Sequence, residues 1–214
     1  SGEANFIPEE VLPIKGPYFP LVNNYRTTSE INSFAQNFRT GKNILIGHSN
    51  RVGYLPEIIT YKDEKDFEKK LKTLVSNLKE DGILNTEMTI LSARRAFHDG
   101  SVMKGMNKDS ELKLIDLGTR KNRKIPKAHE MAGGVCVSTI SSFKGLETPI
   151  GIITNLCEYN LPLTNPIMAS LLYVAATRAK HMLYFLMKEG DPKLEILKKA
   201  RASIENHGSL VIDQ

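Results

Sequence analysis

Three short runs in this chain are apolar without alternating: MTIL from Met88, GIIT from Gly151 and LYFLM from Leu183. A strand with one wet face alternates polar and apolar residues. A strand apolar on both sides belongs to a sheet that helices cover on both faces. The segments between such runs carry helical periodicity, so strand-like and helix-like stretches alternate. That alternation predicts an α/β protein built on a parallel sheet.

Helices are predicted where apolar residues recur every three or four positions. TTSEINSFAQNF places Ile31, Phe34, Ala35 and Phe38 on one face, with Thr28 or Ser29 as the cap. DEKDFEKKLKTLVSNLKEDG does the same with Phe67, Leu71, Leu74, Val75 and Leu78, and Gly82 reads as its stop. MASLLYVAAT and KLEILKKARASIE read as two further helices. Strands are predicted at EIITY (57–61), MTILSA (88–93), VCVSTI (135–140), PIGIITNL (149–156) and HMLYFLM (181–187), with SLVID as a last strand or tail.

Composition limits the function classes. Of 214 residues, 41% are hydrophobic and 25% charged, as in a water-soluble domain with a substantial core. No run is long and apolar enough to span a bilayer, the opening residues lack a signal-peptide pattern, and a cytoplasmic location is expected. Cys136 and Cys157 lie in or beside apolar runs and read as reduced core residues. No Cys/His spacing suggests a metal site. The net charge of +5 and pI of about 9.1 permit a polyanionic partner without requiring one. Much of the excess lies in GTRKNRKIPK (118–127), which holds no acid and reads as a solvated loop or a phosphate-contacting one.

Three stretches carry chemistry. Ligands of open parallel sheets gather beyond the carboxyl ends of strands, so site residues are expected there. VCVSTI runs into SSFKGLE, where hydroxyls, free N–H groups and Gly145 suit phosphate oxygens. In LLYVAATRAKH, Arg178 follows an apolar helix; a guanidinium fork matches a phosphoryl group, although it could equally serve a helix C-terminus. In NNYRTTSEI, Tyr25 and Arg26 stand side by side before a capped helix. They could serve a base and its phosphates, or be a core tyrosine beside a surface arginine.

Taken in order, NYRTTSEI, TISSFKGLE and LLYVAATRAK resemble motifs IV, V and VI of superfamily 1 helicases of the UvrD/Rep type, and ILSARR (90–95) resembles their minor motif. The resemblance spans roughly residues 23–188 and corresponds to the second RecA-like domain, 2A, of a two-domain motor. It implies a RecA-like parallel sheet flanked by helices, a P-loop NTPase-type fold without its own phosphate loop. By position it implies that Tyr25 stacks on adenine, Arg26 contacts the γ-phosphate, and Arg178 is the arginine finger. Glu147 would bind the ribose and Gly145 would lie against the nucleotide. Thr139, Ser141 and Arg94 or Arg95 would face single-stranded DNA. Lys180 is expected to support the electrostatics or to face solvent.

The departures from the family are equally informative. No GxxxxGK[ST] string and no acidic Mg²⁺-binding pair occur, so ATP and Mg²⁺ would be held mainly by a first RecA-like domain. The chain is therefore expected to be half a motor, inactive alone, with that domain and single-stranded DNA as partners. Residues 96–134 are too few for a full 2B subdomain and are expected to form a short insertion. Residues 1–20 read as a tail or linker, 21–190 as the RecA-like domain, and 191–214 as a C-terminal helix and tail. Phe143 replaces a small residue of motif V; exposed, it could stack on a base, and buried, it would pack the turn. The competing function is a non-motor nucleic-acid-binding or interaction module. A chance match would leave Tyr25, Arg26, Glu147 and Arg178 scattered.

Overall fold

The computed structural model describes residues 24–39, 49–106, 111–117 and 133–208. Six strands form one sheet: β1 (Glu57–Tyr61), β2 (Met88–Ser92), β3 (Leu114–Asp116), β4 (Val135–Thr139), β5 (Thr148–Thr154) and β6 (Ala179–Lys188). Their spatial order is β1-β6-β5-β2-β4-β3, and every pairing is parallel. Among the described residues four α-helices flank it: α1 (Ser29–Gln36), α2 (Glu64–Glu80), α3 (Pro166–Ala176) and α4 (Pro192–Gly208).

The two-sided strands sit between two cores. Leu91, Ile153, Leu183, Phe185 and Met187 pack against α1, α3 and α4. Met88, Ile90, Ile150, Ile152 and Leu186 face the other way, onto α2 and onto Ala96, Met103, Met106 and Leu112. Neighbouring residues of one strand thus enter opposite cores, which is why MTIL and LYFLM show no alternation. Phe34, Phe67 and Phe185 are fully buried, each contributing ~1.5–3 kcal/mol of apolar transfer.

Local chemistry sets the helix ends. The Asp63 carboxylate caps α2 by accepting from the N–H of Asp66 at 2.9 Å. Gly82 ends α2 at φ 88°, and the N–H of Ile83 donates to the Leu78 carbonyl at 3.0 Å, closing a Schellman turn. Asn165 caps α3, with Pro166 at its first position. Thr28 holds the cap position of α1, as expected, but its side chain makes no capping bond.

One feature differs from the sequence reading: β3 was not anticipated; it is three residues long and, among the described residues, pairs with β4. The amphipathic α4 places Leu194, Leu197 and Ala200 in the core shared with α1 and α3. The basic run 118–127 and SLVID fall outside the described residues. Both cysteines are free; Cys136 is buried, and Cys157 is half-buried, its Sγ accepting from the Lys188 N–H at 3.3 Å.

Candidate functional site: a cation cluster at the amino end of the sheet

The loops that enter β5 and β6 meet the segment that precedes α1. Backbone bonds tie the three together: the Thr148 N–H donates to the Arg178 carbonyl at 3.0 Å, and the Thr28 N–H to the Lys180 carbonyl at 3.2 Å. α3 stops at Ala176 and β6 starts at Ala179, so Arg178 occupies the turn between them. The charged residues of LLYVAATRAKH therefore stand at a helix-to-strand junction because buried Ala175, Ala176 and Ala179 anchor both sides of it.

Arg26, Glu147, Arg178 and Lys180 converge there. Glu147 Oε1 lies 2.6 Å from Arg26 Nε, and Glu147 Oε2 lies 2.9 Å from Lys180 Nζ. The Lys180 ammonium, aided by Arg26, holds the Glu147 carboxyl below the usual carboxylate range. Lys180 is thus a direct partner of Glu147, the first of the two roles open to it from sequence. Arg178 differs from its neighbours. Its Nη1 reaches the Leu146 carbonyl at 3.4 Å, while its buried Nε has no hydrogen-bond partner. Burial, then repulsion from Arg26, lowers its pKa, although a guanidinium stays charged at neutral pH.

Asn24, which sequence reasoning passed over, orients Arg26. Its Oδ1 accepts from the Arg26 N–H at 2.9 Å, and its Nδ2 donates to Thr27 Oγ1 and Asn32 Oδ1. An Asx turn of this kind was signalled by an Asn two residues before an arginine and near a helix start. Tyr25 beside it is 73% exposed, so it is not a core anchor. Gly145 adopts φ 88° in the loop that delivers Glu147, a conformation that favours glycine.

These residues sit at the amino ends of β5 and β6, which corrects the expectation that site residues follow strands. Thr148 pairs with Ala179 at the first rung of those two strands, and Glu147 and Arg178 immediately precede it. Other predicted residues do lie at the carboxyl ends. Ser92 pairs with Thr139 at the last rung of β2 and β4, so Arg94, Arg95, Thr139 and Ser141 share that opposite edge. Arg94 and Arg95 are exposed, and the Arg94 guanidinium lies 5.8 Å from the Tyr159 ring. Thr139 Oγ1 accepts from the Ser142 N–H at 3.0 Å and closes the turn. Ser141 is exposed.

Phe143 is 4% exposed and packs with Ile140 and Leu156. It is the packing residue of the motif V turn, and base stacking by its ring is ruled out in this conformation. Among the described residues, no cluster of His, Cys, Asp or Glu could hold a metal ion, and no helix is long and apolar enough to cross a membrane.

The motif V and VI segments, with their carboxylate between two cations, lie inside a region that can be compared with known families. Residues 101–190 match the UvrD-like helicase C-terminal domain. This region includes β3 to β6, α3, Glu147, Arg178 and Lys180; Tyr25 and Arg26 lie before it. The whole fold also resembles a solved structure, the C-terminal domain of a possible DNA helicase from Lactobacillus plantarum WCFS1. That likeness has a TM-score of 0.58 at 20% identity and covers 83% of this chain and 96% of the other. No curated protein matches the chain. The six-stranded parallel sheet with helices on both faces is an α/β fold that matches this RecA-like helicase C-terminal domain, the fold class that the sequence motifs imply.

Proposed function

We propose that this chain is the second motor domain of an ATP-dependent DNA helicase or translocase. The observation that carries the reading is the convergence of Arg26, Glu147 and Arg178 from three separate loops onto one edge of the sheet. The UvrD-like match from 101 to 190 supports it from an independent direction.

The chemistry follows from the donor set. Arg178 presents an unpaired, desolvated N–H, and Arg26 stands beside it, so phosphoryl oxygens are the natural acceptors. Arg178 is the finger that stabilises charge on the transferred phosphoryl group, and Arg26 contacts the same group. Tyr25 offers its face to adenine, Glu147 its carboxylate to the ribose, and Gly145 lets the backbone approach. ATP with Mg²⁺, when bound, supplies the phosphoryl group and its charge-neutralising ion; both are held chiefly by a first RecA-like domain that carries the phosphate loop. At the opposite edge, Arg94, Arg95, Thr139 and Ser141 line the track for single-stranded DNA.

The test compares ATP hydrolysis by this chain alone and by a protein carrying both RecA-like domains, each with single-stranded DNA. Silence from the chain and turnover by the two-domain protein are expected. Turnover by the chain alone overturns the half-motor reading. DNA binding without turnover in either protein favours a binding module instead.

A further inference from the structure

The cation cluster contains its own anion. Both oxygens of Glu147 are engaged, by Arg26 at 2.6 Å and by Lys180 at 2.9 Å, and these two cations come from different segments. Arg178, which also feels the Glu147 charge, is left with a buried Nε that has no acceptor. Three cations thus face a single carboxylate, and the arginine least accessible to water is the one whose Nε–H has no acceptor. A desolvated donor in that state favours any ligand that brings an acceptor.

The cations and the carboxylate differ in how firmly they are held. Residues 178 and 180 are fixed through their carbonyls by Thr148 and Thr28, and Arg26 is seated by Asn24. Glu147 sits on an exposed loop just after Gly145, and its carboxylate can leave by rotating about its own side-chain bonds. The side chains of Arg26 and Lys180 are 54% and 38% exposed, so an incoming anion can reach them.

We propose that Glu147 is the resident counter-anion of a phosphate site: phosphate oxygens displace it from Arg26 and Lys180, and Lys180 is a third cation of that site. This rests on the reading of the cluster as a nucleotide edge. It adds that Glu147 offsets part of the cluster's positive charge until phosphate displaces it, and that displacement frees the carboxylate for a ribose hydroxyl.

The probe is inorganic tripolyphosphate, which lacks base and ribose, titrated into the 214-residue chain at low ionic strength by calorimetry. Glu147→Gln removes the internal competitor and should tighten binding about twofold to fivefold, the range for losing one exposed ion pair. Lys180→Ala should weaken it by a similar factor, and Glu147→Gln/Lys180→Ala should return close to wild type. Thermal unfolding of each variant reports whether the fold is kept. Binding that Arg178→Ala abolishes but Glu147→Gln leaves unchanged or weakens would overturn the counter-anion role while the nucleotide edge stands. Absence of binding in every variant would overturn both.

Discussion

Arg26 Nε and Glu147 Oε1 stand 2.6 Å apart, although one residue precedes the first helix and the other precedes the fifth strand. The contact joins the segment before α1 to the loop entering β5 at one edge of the sheet. Its contribution to stability is small, because both side chains are partly exposed. Exposed pairs contribute ~0–1 kcal/mol. Arg26→Ala should therefore leave urea unfolding nearly unchanged while sharply reducing ATP turnover in a two-domain protein. Parallel loss of stability and turnover would mean a structural role instead.

The pH response of Glu147 has a definite sign. Its folded pKa is lowered, chiefly by Lys180, so its stabilising contribution is present above the unfolded carboxylate pKa. That contribution is lost as pH falls through the folded value. Urea unfolding of Glu147→Gln and wild type should differ slightly at pH 7 and converge as pH falls below the unfolded value of ~4.3 and through the lowered folded one. A difference that grows on acidification would contradict the assignment.

Gly145 should tolerate asparagine better than alanine. Its φ is 88°, and a Cβ there would meet no heavy atom within 4 Å, so the cost is backbone strain alone. Gly145→Ala should lose ~1–2 kcal/mol, and Gly145→Asn less, since Asn visits the left-handed region more readily. Equilibrium denaturation of the two variants checks the order.

Phe143 and Arg94/Arg95 should separate packing from DNA contact. Phe143→Ala opens a cavity and should cost ~3–5 kcal/mol, while Phe143→Leu should leave affinity for single-stranded DNA unchanged. Arg94→Ala and Arg95→Ala should weaken that affinity. Each lost phosphate contact should lower the salt slope by ~0.7. Fluorescence anisotropy with an oligothymidylate over a salt series reads both effects.

Much of this architecture was legible because burial on two faces leaves a plain mark. The runs at Met88 and Leu183 could only be central strands, and the Phe67–Leu78 stripe could only face a core. β3 escaped because three half-buried residues at a sheet edge leave almost no periodicity, although Leu112, Leu114 and Ile115 hinted at it. That Arg26, Glu147 and Arg178 would converge was expected from the order of the motifs, whereas the edge of the sheet they share was not. The carboxyl-end rule describes a sheet that holds its ligand alone, and Arg178 and Glu147 are instead delivered by loops entering β5 and β6. From sequence Lys180 either supports the electrostatics or faces solvent, and its contact with Glu147 was not foreseen. Which lysine reaches a carboxylate depends on the register of two strands, and no spacing within one segment records that.

The central claim is that Arg178 acts on the transferred phosphoryl group. The most direct test is the steady-state rate of DNA-stimulated ATP hydrolysis by a protein carrying both RecA-like domains, with Arg178→Ala as the variant. The account predicts that kcat falls by about a thousandfold or more while KM for ATP changes little. An unchanged kcat in a folded, DNA-binding variant would contradict it.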